Sequence, residues 1–156
     1  MAEEHMPITG GCLCGAVRYE STKDATSTAT CHCRTCQKSY GGPFTAGVVF
    51  QRATFRITMG ELKYYESSEL ARRGFCSHCG SPVLLDFESH VPFCGEHFFV
   101  RIGSLDHPEK YKPEFHYGVE AQLPWIHFDD GLPRQTTQED PALIDGFSTK
   151  DRHDPP

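Results

Sequence analysis

The most constraining feature of this chain is a run in which three cysteines, Cys31, Cys33 and Cys36, fall within six residues. Thiols this close together make poor disulfides, because a disulfide needs Cα atoms roughly 4.4–6.8 Å apart with facing Cβ vectors. A metal relaxes that demand, since each thiolate then points at one shared centre about 2.3 Å away. Three thiolates give a tetrahedral zinc ion three protein ligands and leave one position free. That is the coordination of a catalytic site, whereas a structural site is closed by four ligands.

Four further cysteines form two short motifs, a C-x-C at Cys12 and Cys14 and a C-x-x-C at Cys76 and Cys79. Together they make a closed set of four thiols drawn from two distant parts of the chain, which predicts a structural zinc. Two disulfides are the alternative, and the C-x-C spacing disfavours them. Cys94 stands alone and is most simply a small apolar residue. The segment 88–97 around it is longer than a strand connection requires and could overhang the site.

The three-cysteine cluster has an alternative interpretation as a second closed structural site with a fourth protein ligand. Its possible fourth ligands are His32, His78 and Cys94. His32 lies between two ligands on a tight loop, so we expect its side chain to point away from the metal. His78 lies inside the C-x-x-C motif and is better explained as a spacer. These positions favour the open site.

Length and charge narrow the class of protein. A chain of 156 residues has the size of one domain. We divide it into an N-terminal lead (1–8), a domain (9–134) and a polar C-terminal tail (135–156). Neither a secretory signal nor an apolar run of membrane-spanning length is present, so we expect a reducing, cytoplasmic setting and no membrane partner. The net charge of −6 argues against a nucleic-acid partner.

Alternating apolar residues predict a mainly β fold of small antiparallel sheets with few short helices. The predicted strands are 16–20, 44–50, 54–58, 62–65, 83–87 and 98–102. One short helix is expected at 34–39, before Gly41-Gly42-Pro43, and a helical turn at 105–110. We expect Trp125, which follows a proline, to pack in the core.

The cysteine motifs resemble those of the glutathione-dependent formaldehyde-activating enzyme family, to which centromere protein V is related. The resemblance is carried by Gly11-Cys12-x-Cys14-Gly15, Cys31-x-Cys33-x-x-Cys36 and Phe75-Cys76-x-x-Cys79-Gly80-Ser81-Pro82. It implies a β-tent fold of the Mss4-like kind and two zinc ions per chain. The structural zinc would be held by Cys12, Cys14, Cys76 and Cys79, and the catalytic zinc by Cys31, Cys33 and Cys36. The implied activity is that of a carbon–sulfur lyase, which joins formaldehyde and glutathione into S-hydroxymethylglutathione.

The open zinc position could bind glutathione, or a related small thiol, as its thiolate beside the carbonyl of formaldehyde or another small aldehyde. The product is a hemithioacetal, which also forms without an enzyme. A thiol-binding carrier and a zinc-stabilised interaction module are therefore alternatives to an enzyme. Glutathione carries two carboxylates, so Arg34 and Lys38 are candidate cations for it and Gln37 a candidate hydrogen-bond donor. The alternative interpretation is that Arg34 and Lys38 are solvated surface residues with no role in binding the thiol.

Overall fold

Strands dominate the computed structural model, which describes residues 6–139. This part of the chain forms eleven β-strands and one α-helix, together with six short 3-10 turns. The strands are β1 (Ile8–Gly11), β2 (Arg18–Ser21), β3 (Ser27–Cys31), β4 (Thr45–Gln51), β5 (Phe55–Met59), β6 (Lys63–Glu66), β7 (Ala71–Phe75), β8 (Pro82–Phe87), β9 (His97–Arg101), β10 (Phe115–Tyr117) and β11 (Arg134–Gln135). The helix α1 spans Arg34–Tyr40. The predicted mainly β class is therefore confirmed.

The strands form two sheets. The smaller has the order β1-β2-β5, and the larger has the order β11-β10-β3-β4-β9-β8-β7-β6. Most neighbours are antiparallel, but β10 runs parallel to both β3 and β11. The larger sheet thus exceeds the small antiparallel sheets that the sequence predicts. Parallel pairing requires a long connection, and the chain between β3 and β10 supplies it, since it contains α1 and the strands β4 to β9.

Alternation along the central strands gives the large sheet two different faces. One face packs against the small sheet through Val48, Phe50, Leu84 and Val100, which join Tyr19 and Phe55 in the main core. The other face presents Leu85 and Phe87, which form a second cluster with Ala71, Val91 and Cys94. The main core therefore fills one side of the sheet and leaves the other side available for a site.

Helix α1 has defined ends at both termini. The thiol of Cys33 caps its start by accepting a hydrogen bond from the Cys36 N–H at 3.4 Å. The N–H of Gly41 closes its end on the Gln37 carbonyl at 2.9 Å. The predicted helix at 34–39 is thus present, one residue longer than predicted.

Some expectations fall outside the regular elements. Trp125 is 68% exposed, so its predicted core position is wrong; it lies in a turn that the Ile126 N–H closes on the Leu123 carbonyl at 3.0 Å. Within residues 6–139 no helix is long and apolar enough to span a bilayer. The limits of the lead, domain and tail stay predictions, and residues 1–5 and 140–156 of the lead and tail lie outside the described residues.

Candidate metal centres and active-site cavity

The four cysteines of the two short motifs come together between the two sheets. Cys12 and Cys14 lie on the turn after β1, and Cys76 and Cys79 on the turn between β7 and β8. One sulfur atom from each lies within 4.8 Å of all the others. Cys14 Sγ is 3.6 Å from Cys12 Sγ and 3.9 Å from Cys76 Sγ. A tetrahedron with metal–sulfur bonds of about 2.3 Å has edges of about 3.8 Å, so this set fits a zinc ion.

Backbone and hydroxyl donors fix this four-cysteine group. The N–H of Val17 donates to Cys12 Sγ at 3.2 Å, and the N–H of Leu13 donates to Ser81 Oγ at 3.0 Å. Hydrogen bonds from the Ser81 side chain and backbone lower the pKa of the Cys79 thiol to about 5. Donors that favour the thiolate also favour a metal ligand, because zinc binds the deprotonated sulfur.

The second group joins Cys31 at the end of β3 with Cys33 and Cys36 around the start of α1. Their three sulfur atoms lie within 4.8 Å of one another. In the part of the chain that the structure describes, no histidine, aspartate, glutamate or further cysteine joins this group. None of the eight cysteines is in a disulfide. The donor set therefore fits a zinc ion held by three sulfur atoms.

His32 does not face this group, although it stands between two of its members. Its ring is fully buried and lies near the rings of Phe44 and Phe128, with centroids 5.9 and 5.6 Å away. Its Nε2 lies 2.9 Å from His116 Nδ1, and His116 Nε2 lies 2.8 Å from an Asp130 carboxylate oxygen. Burial, with the nearby charges of His116 and Arg134, lowers the pKa of His32 to about 4. His32 thus anchors the loop from behind.

Two residues outside the cluster hold its loop in place. Gln37 is buried, and its amide donates to the His32 carbonyl at 2.6 Å and to the Ala121 carbonyl at 2.9 Å. Gly118 has a φ of 69°, and a Cβ there would lie 2.9 Å from the Cys33 backbone nitrogen. Only a residue without a side chain fits this close approach in the left-handed region.

The three-cysteine group opens into a cavity of about 310 Å³ on the second face of the large sheet. Its wall is mainly aliphatic and aromatic, with Val49, Leu85, Phe87, Phe99 and Phe115 among the lining residues. Phe93 and Cys94 also line it, so the segment 88–97 borders the cavity as the sequence suggested. Cys94 is not within the three-sulfur group.

Arg73 and Arg101 are the two cations in the cavity wall, and sequence analysis missed both. Each is only 8% exposed. Both guanidinium groups lie near the Tyr40 ring, with Arg101 4.5 Å and Arg73 5.4 Å from its centroid. Among residues 6–139 neither has a carboxylate partner, and the Nε of each has no hydrogen-bond partner. The sequence offered one signal for them: each arginine lies in a strand, two residues from a neighbour on the same face. Arginines in strands usually face solvent, so this signal does not predict a buried position.

Electrostatics link these arginines to the cysteines. Hydrogen bonds from Cys31 and Cys33 lower the pKa of the Cys36 thiol well below its usual range, and the charges of Arg101 and Arg73 lower it further. Burial lowers the pKa of Arg73, but Tyr40 and the charges of Cys36 and Cys33 outweigh it and raise that pKa above its usual value. The cavity therefore places two positively charged side chains near the cysteines that would bind the metal as thiolates.

The residues predicted to bind the thiol lie on α1 but not in the cavity wall. Arg34 and Lys38 are exposed on the outer side of the helix. Gln37 is occupied by the two carbonyls described above and accepts a hydrogen bond from Arg34. A thiol-binding role for these three residues stays a prediction.

The fold and these two groups define a mainly β protein with one set of four thiols and one of three. The family model of the glutathione-dependent formaldehyde-activating enzymes matches residues 7–120. The chain therefore belongs to this family.

The chain is also similar to individual known proteins. An uncharacterized lyase of Schizosaccharomyces pombe is 33% identical over 74 residues, which are 47% of this chain and 53% of that protein. The chain thus spans about half the length of this curated relative. The crystal structure of a Rhodobacter sphaeroides protein superimposes with a TM-score of 0.50 at 20% identity, over 82% of this chain and 99% of that one. At this identity the likeness shows a common fold.

Proposed function

We propose that this protein is a zinc-dependent carbon–sulfur lyase of the S-hydroxymethylglutathione synthase type. Its substrates would be glutathione or a related thiol, and formaldehyde or another small aldehyde. The observation that carries the proposal is the group of Cys31, Cys33 and Cys36, which lies in a cavity wall with no fourth protein ligand among residues 6–139. The family description and the name of the yeast relative support the same class.

The two cysteine groups would have different tasks in this scheme. Cys12, Cys14, Cys76 and Cys79 would hold a structural zinc that ties β1 to the β7–β8 turn. Cys31, Cys33 and Cys36 would hold a second zinc, so two ions per chain are expected. That ion would favour the thiolate form of an incoming thiol and act as a Lewis acid. Free thiols on both groups suit a reducing, cytoplasmic setting.

The chemistry requires no oxidant or reductant. The thiol sulfur bonds to the carbonyl carbon, the π bond of the carbonyl opens, and the thiol proton ends on the carbonyl oxygen. The reverse direction is the lyase reaction. The cavity would hold the two reactants close together, which would raise their effective concentration, and it would exclude water.

Arg73 and Arg101 give the chain its own contribution to this reaction. Three thiolates and one Zn²⁺ have a formal charge of −1, whereas the two guanidinium groups carry +2, so this end of the cavity favours one further anion. The hydrogen bonds of these guanidinium groups go to neutral groups, namely the Tyr40 and Thr45 hydroxyls and the Phe99 carbonyl, and a buried charge without an opposite charge is costly. We assign that anion to a carboxylate of the thiol or to the oxygen that becomes negative during addition. The exposed Arg34 and Lys38, with Gln37, remain predicted contacts for the rest of the thiol.

The test compares Cys33→Ser with Cys94→Ser. Serine at position 33 retains an oxygen that can cap α1, and Cys94 lies outside both groups. We expect Cys33→Ser to lose about one zinc per chain and about a hundredfold or more of the exchange rate between glutathione and formaldehyde. Elemental analysis measures the zinc and exchange NMR measures the rate, and Cys94→Ser should retain both zinc ions.

Two results would contradict the proposal. One is full catalysis by Cys33→Ser after loss of the metal. The other is a wild-type rate no faster than the uncatalysed reaction; with saturable glutathione binding, that result would indicate a carrier.

A further inference from the structure

The side chains that line the cavity come from alternate positions of neighbouring strands. One row crosses five strands, because each member is the registered partner of the next. The row consists of Ser27, Val49, Phe99, Leu85 and Arg73. Its three middle members are apolar, and we call Val49, Phe99 and Leu85 the apolar row. Val49 and Leu85 are 5% and 7% exposed.

A second row lies between this apolar row and the cysteines. It consists of Phe115, Ala29, Gly47 and Arg101. Cys31 follows Ala29 by two residues and begins the next row along β3. At about 3.3 Å per residue, the second row lies about 7 Å from Cys31 along the strand and the apolar row about 13 Å. The cavity therefore extends well beyond the reach of a single carbon atom held at the cysteines.

The second row makes room for an occupant. Ala29 and Gly47 are registered partners, so the middle of this row has one methyl group and one hydrogen as side chains. The Arg101 guanidinium borders the space above Gly47, since its Nη2 lies 3.5 Å from where a Gly47 Cβ would stand. The short side chain of Ala29 leaves a path along the cavity from Cys31 to Val49 and Phe99. Arg101, at the end of this row, places positive charge beside that path.

The far part of the cavity has the character of an apolar pocket. The rings of Phe87 and Phe99 meet edge to face, with centroids 5.3 Å apart. Phe87 is 5% exposed. A polar peptide group buried against these rings would lose hydrogen bonds with water and find none in return. The cations of the wall lie at its border: Arg73 is the registered partner of Leu85, and the Arg101 guanidinium donates to the Phe99 carbonyl at 3.1 Å.

We propose that the apolar row binds the hydrocarbon substituent of the aldehyde, so that the enzyme prefers an aromatic or branched aliphatic aldehyde to formaldehyde. This inference rests on the proposed function. The reaction balances as before: the carbon–sulfur bond forms, the carbonyl π bond opens, the thiol proton passes to oxygen, and the substituent on the aldehyde carbon is unchanged. Pockets of this size and lining bind ligands mainly by apolar contact, with a few polar groups that fix orientation.

The binding test uses benzyl alcohol, which has the ring of benzaldehyde but no reactive carbonyl. We expect saturable binding to the zinc-loaded protein, with NMR shifts at Phe87 and Phe99. Val49→Phe fills the apolar row and should weaken binding by about tenfold or more. Ala29→Leu fills the path opposite Gly47 and should act in the same direction if Val49→Phe does not fold. Thermal unfolding of each variant shows whether the fold is retained.

The turnover test compares benzaldehyde, isobutyraldehyde and formaldehyde with glutathione as the thiol. We expect kcat/KM to favour benzaldehyde over formaldehyde by about tenfold or more in the wild type. In Val49→Phe the benzaldehyde rate should fall by about tenfold or more while the formaldehyde rate changes little. Formaldehyde serves as the internal control because it does not reach the apolar row.

The two tests separate this inference from the proposed function. Turnover of formaldehyde without saturable benzyl alcohol binding would overturn the substrate class and leave the lyase function in place. Binding of benzyl alcohol that Val49→Phe weakens, without turnover of any aldehyde, would support the apolar ligand site and contradict the lyase function. Equal loss of both aldehydes in a folded Val49→Phe would also overturn the inference.

Discussion

His32 Nε2 lies 2.9 Å from His116 Nδ1, so the loop that carries Cys31 and Cys33 is hydrogen-bonded to strand β10 through two imidazole rings. Asp130 accepts a hydrogen bond from His116 Nε2–H at 2.8 Å. When the His116 ring is neutral, its Nδ1 carries no proton and accepts the hydrogen bond that His32 Nε2–H donates. One carboxylate at the edge of the domain therefore sets the tautomer of two buried rings behind the three-cysteine group.

Removal of that carboxylate should loosen the loop. In Asp130→Ala the buried His116 loses its acceptor, and an unsatisfied buried donor is destabilising. We expect the unfolding free energy to fall in urea titrations. Asp129→Ala removes the same charge from an exposed neighbour and should change stability by less than about 0.5 kcal/mol. Equal effects of the two variants would argue against the imidazole chain.

Gly118→Ala should disturb the three-cysteine group directly. Its Cβ would lie 2.9 Å from the Cys33 nitrogen and 3.1 Å from the Cys33 Cβ. Gly131 has a similar φ of 65°, and a Cβ there meets nothing within 4 Å, so Gly131→Ala isolates the backbone strain, which is about 1–2 kcal/mol. We expect Gly118→Ala to exceed that loss and also to lower zinc content, measured by elemental analysis. If a folded Gly118→Ala keeps its zinc, the loop that carries Cys33 can move to accept the new methyl group without loss of metal binding, which would contradict this prediction.

The four-cysteine group should determine whether the domain folds. Cys76 is fully buried, and Cys76→Ser removes one of four proposed ligands. Loss of a structural metal is among the few changes that cost about 4 kcal/mol or more. We expect a large drop in melting temperature by circular dichroism and loss of about one zinc per chain, with Cys94→Ser as the control. A stable Cys76→Ser would contradict the structural assignment.

The ion pair of Arg18 and Asp106 predicts an acid-dependent stability difference. Hydrogen bonds from Arg18 and Thr9 lower the pKa of Asp106 to about 2, from an ordinary value of 3.8. Because the folded pKa is depressed, the stabilisation is present above pH 3.8 and is lost as the pH falls toward 2. Both side chains are about one-third exposed, so solvent screening limits the effect to about 1 kcal/mol.

Asp106→Asn measures this contribution. The difference in unfolding free energy between wild type and variant should be largest at pH 5 and shrink toward zero near pH 2. A difference that stays constant over this range would show that the carboxylate does not titrate as the geometry implies.

Cysteine spacing was enough to predict which thiols meet within each short motif, because that geometry is local. The meeting of the two distant motifs was predicted because their four thiols together complete the ligand set of a structural zinc. The strands at 44–50, 54–58 and 83–87 were also predicted within one or two residues, since their apolar residues alternate clearly. Strands β3 and β7 were missed. Their sequences, STATC and ARRGF, consist largely of small, hydroxyl or charged residues and carry little alternation.

Because β7 was missed, part of the candidate site was missed with it. Arg73 lies on β7, and its burial depends on the partner strand β8 and on Tyr40 from the helix. Such contacts arise between residues distant in the chain, so no local pattern reports them. The imidazole pair of His32 and His116 was missed for the same reason, because β10 reaches β3 only through a parallel connection.

The two faces of the large sheet divide the strands into independent sets of positions. Val48 and Val49 are consecutive in β4, yet the first belongs to the main core and the second to the cavity. Natural variation at every second residue could therefore reshape the chamber while the interior beneath it stays intact. A scaffold of this kind can acquire new reactants by small steps, without rebuilding what keeps it folded.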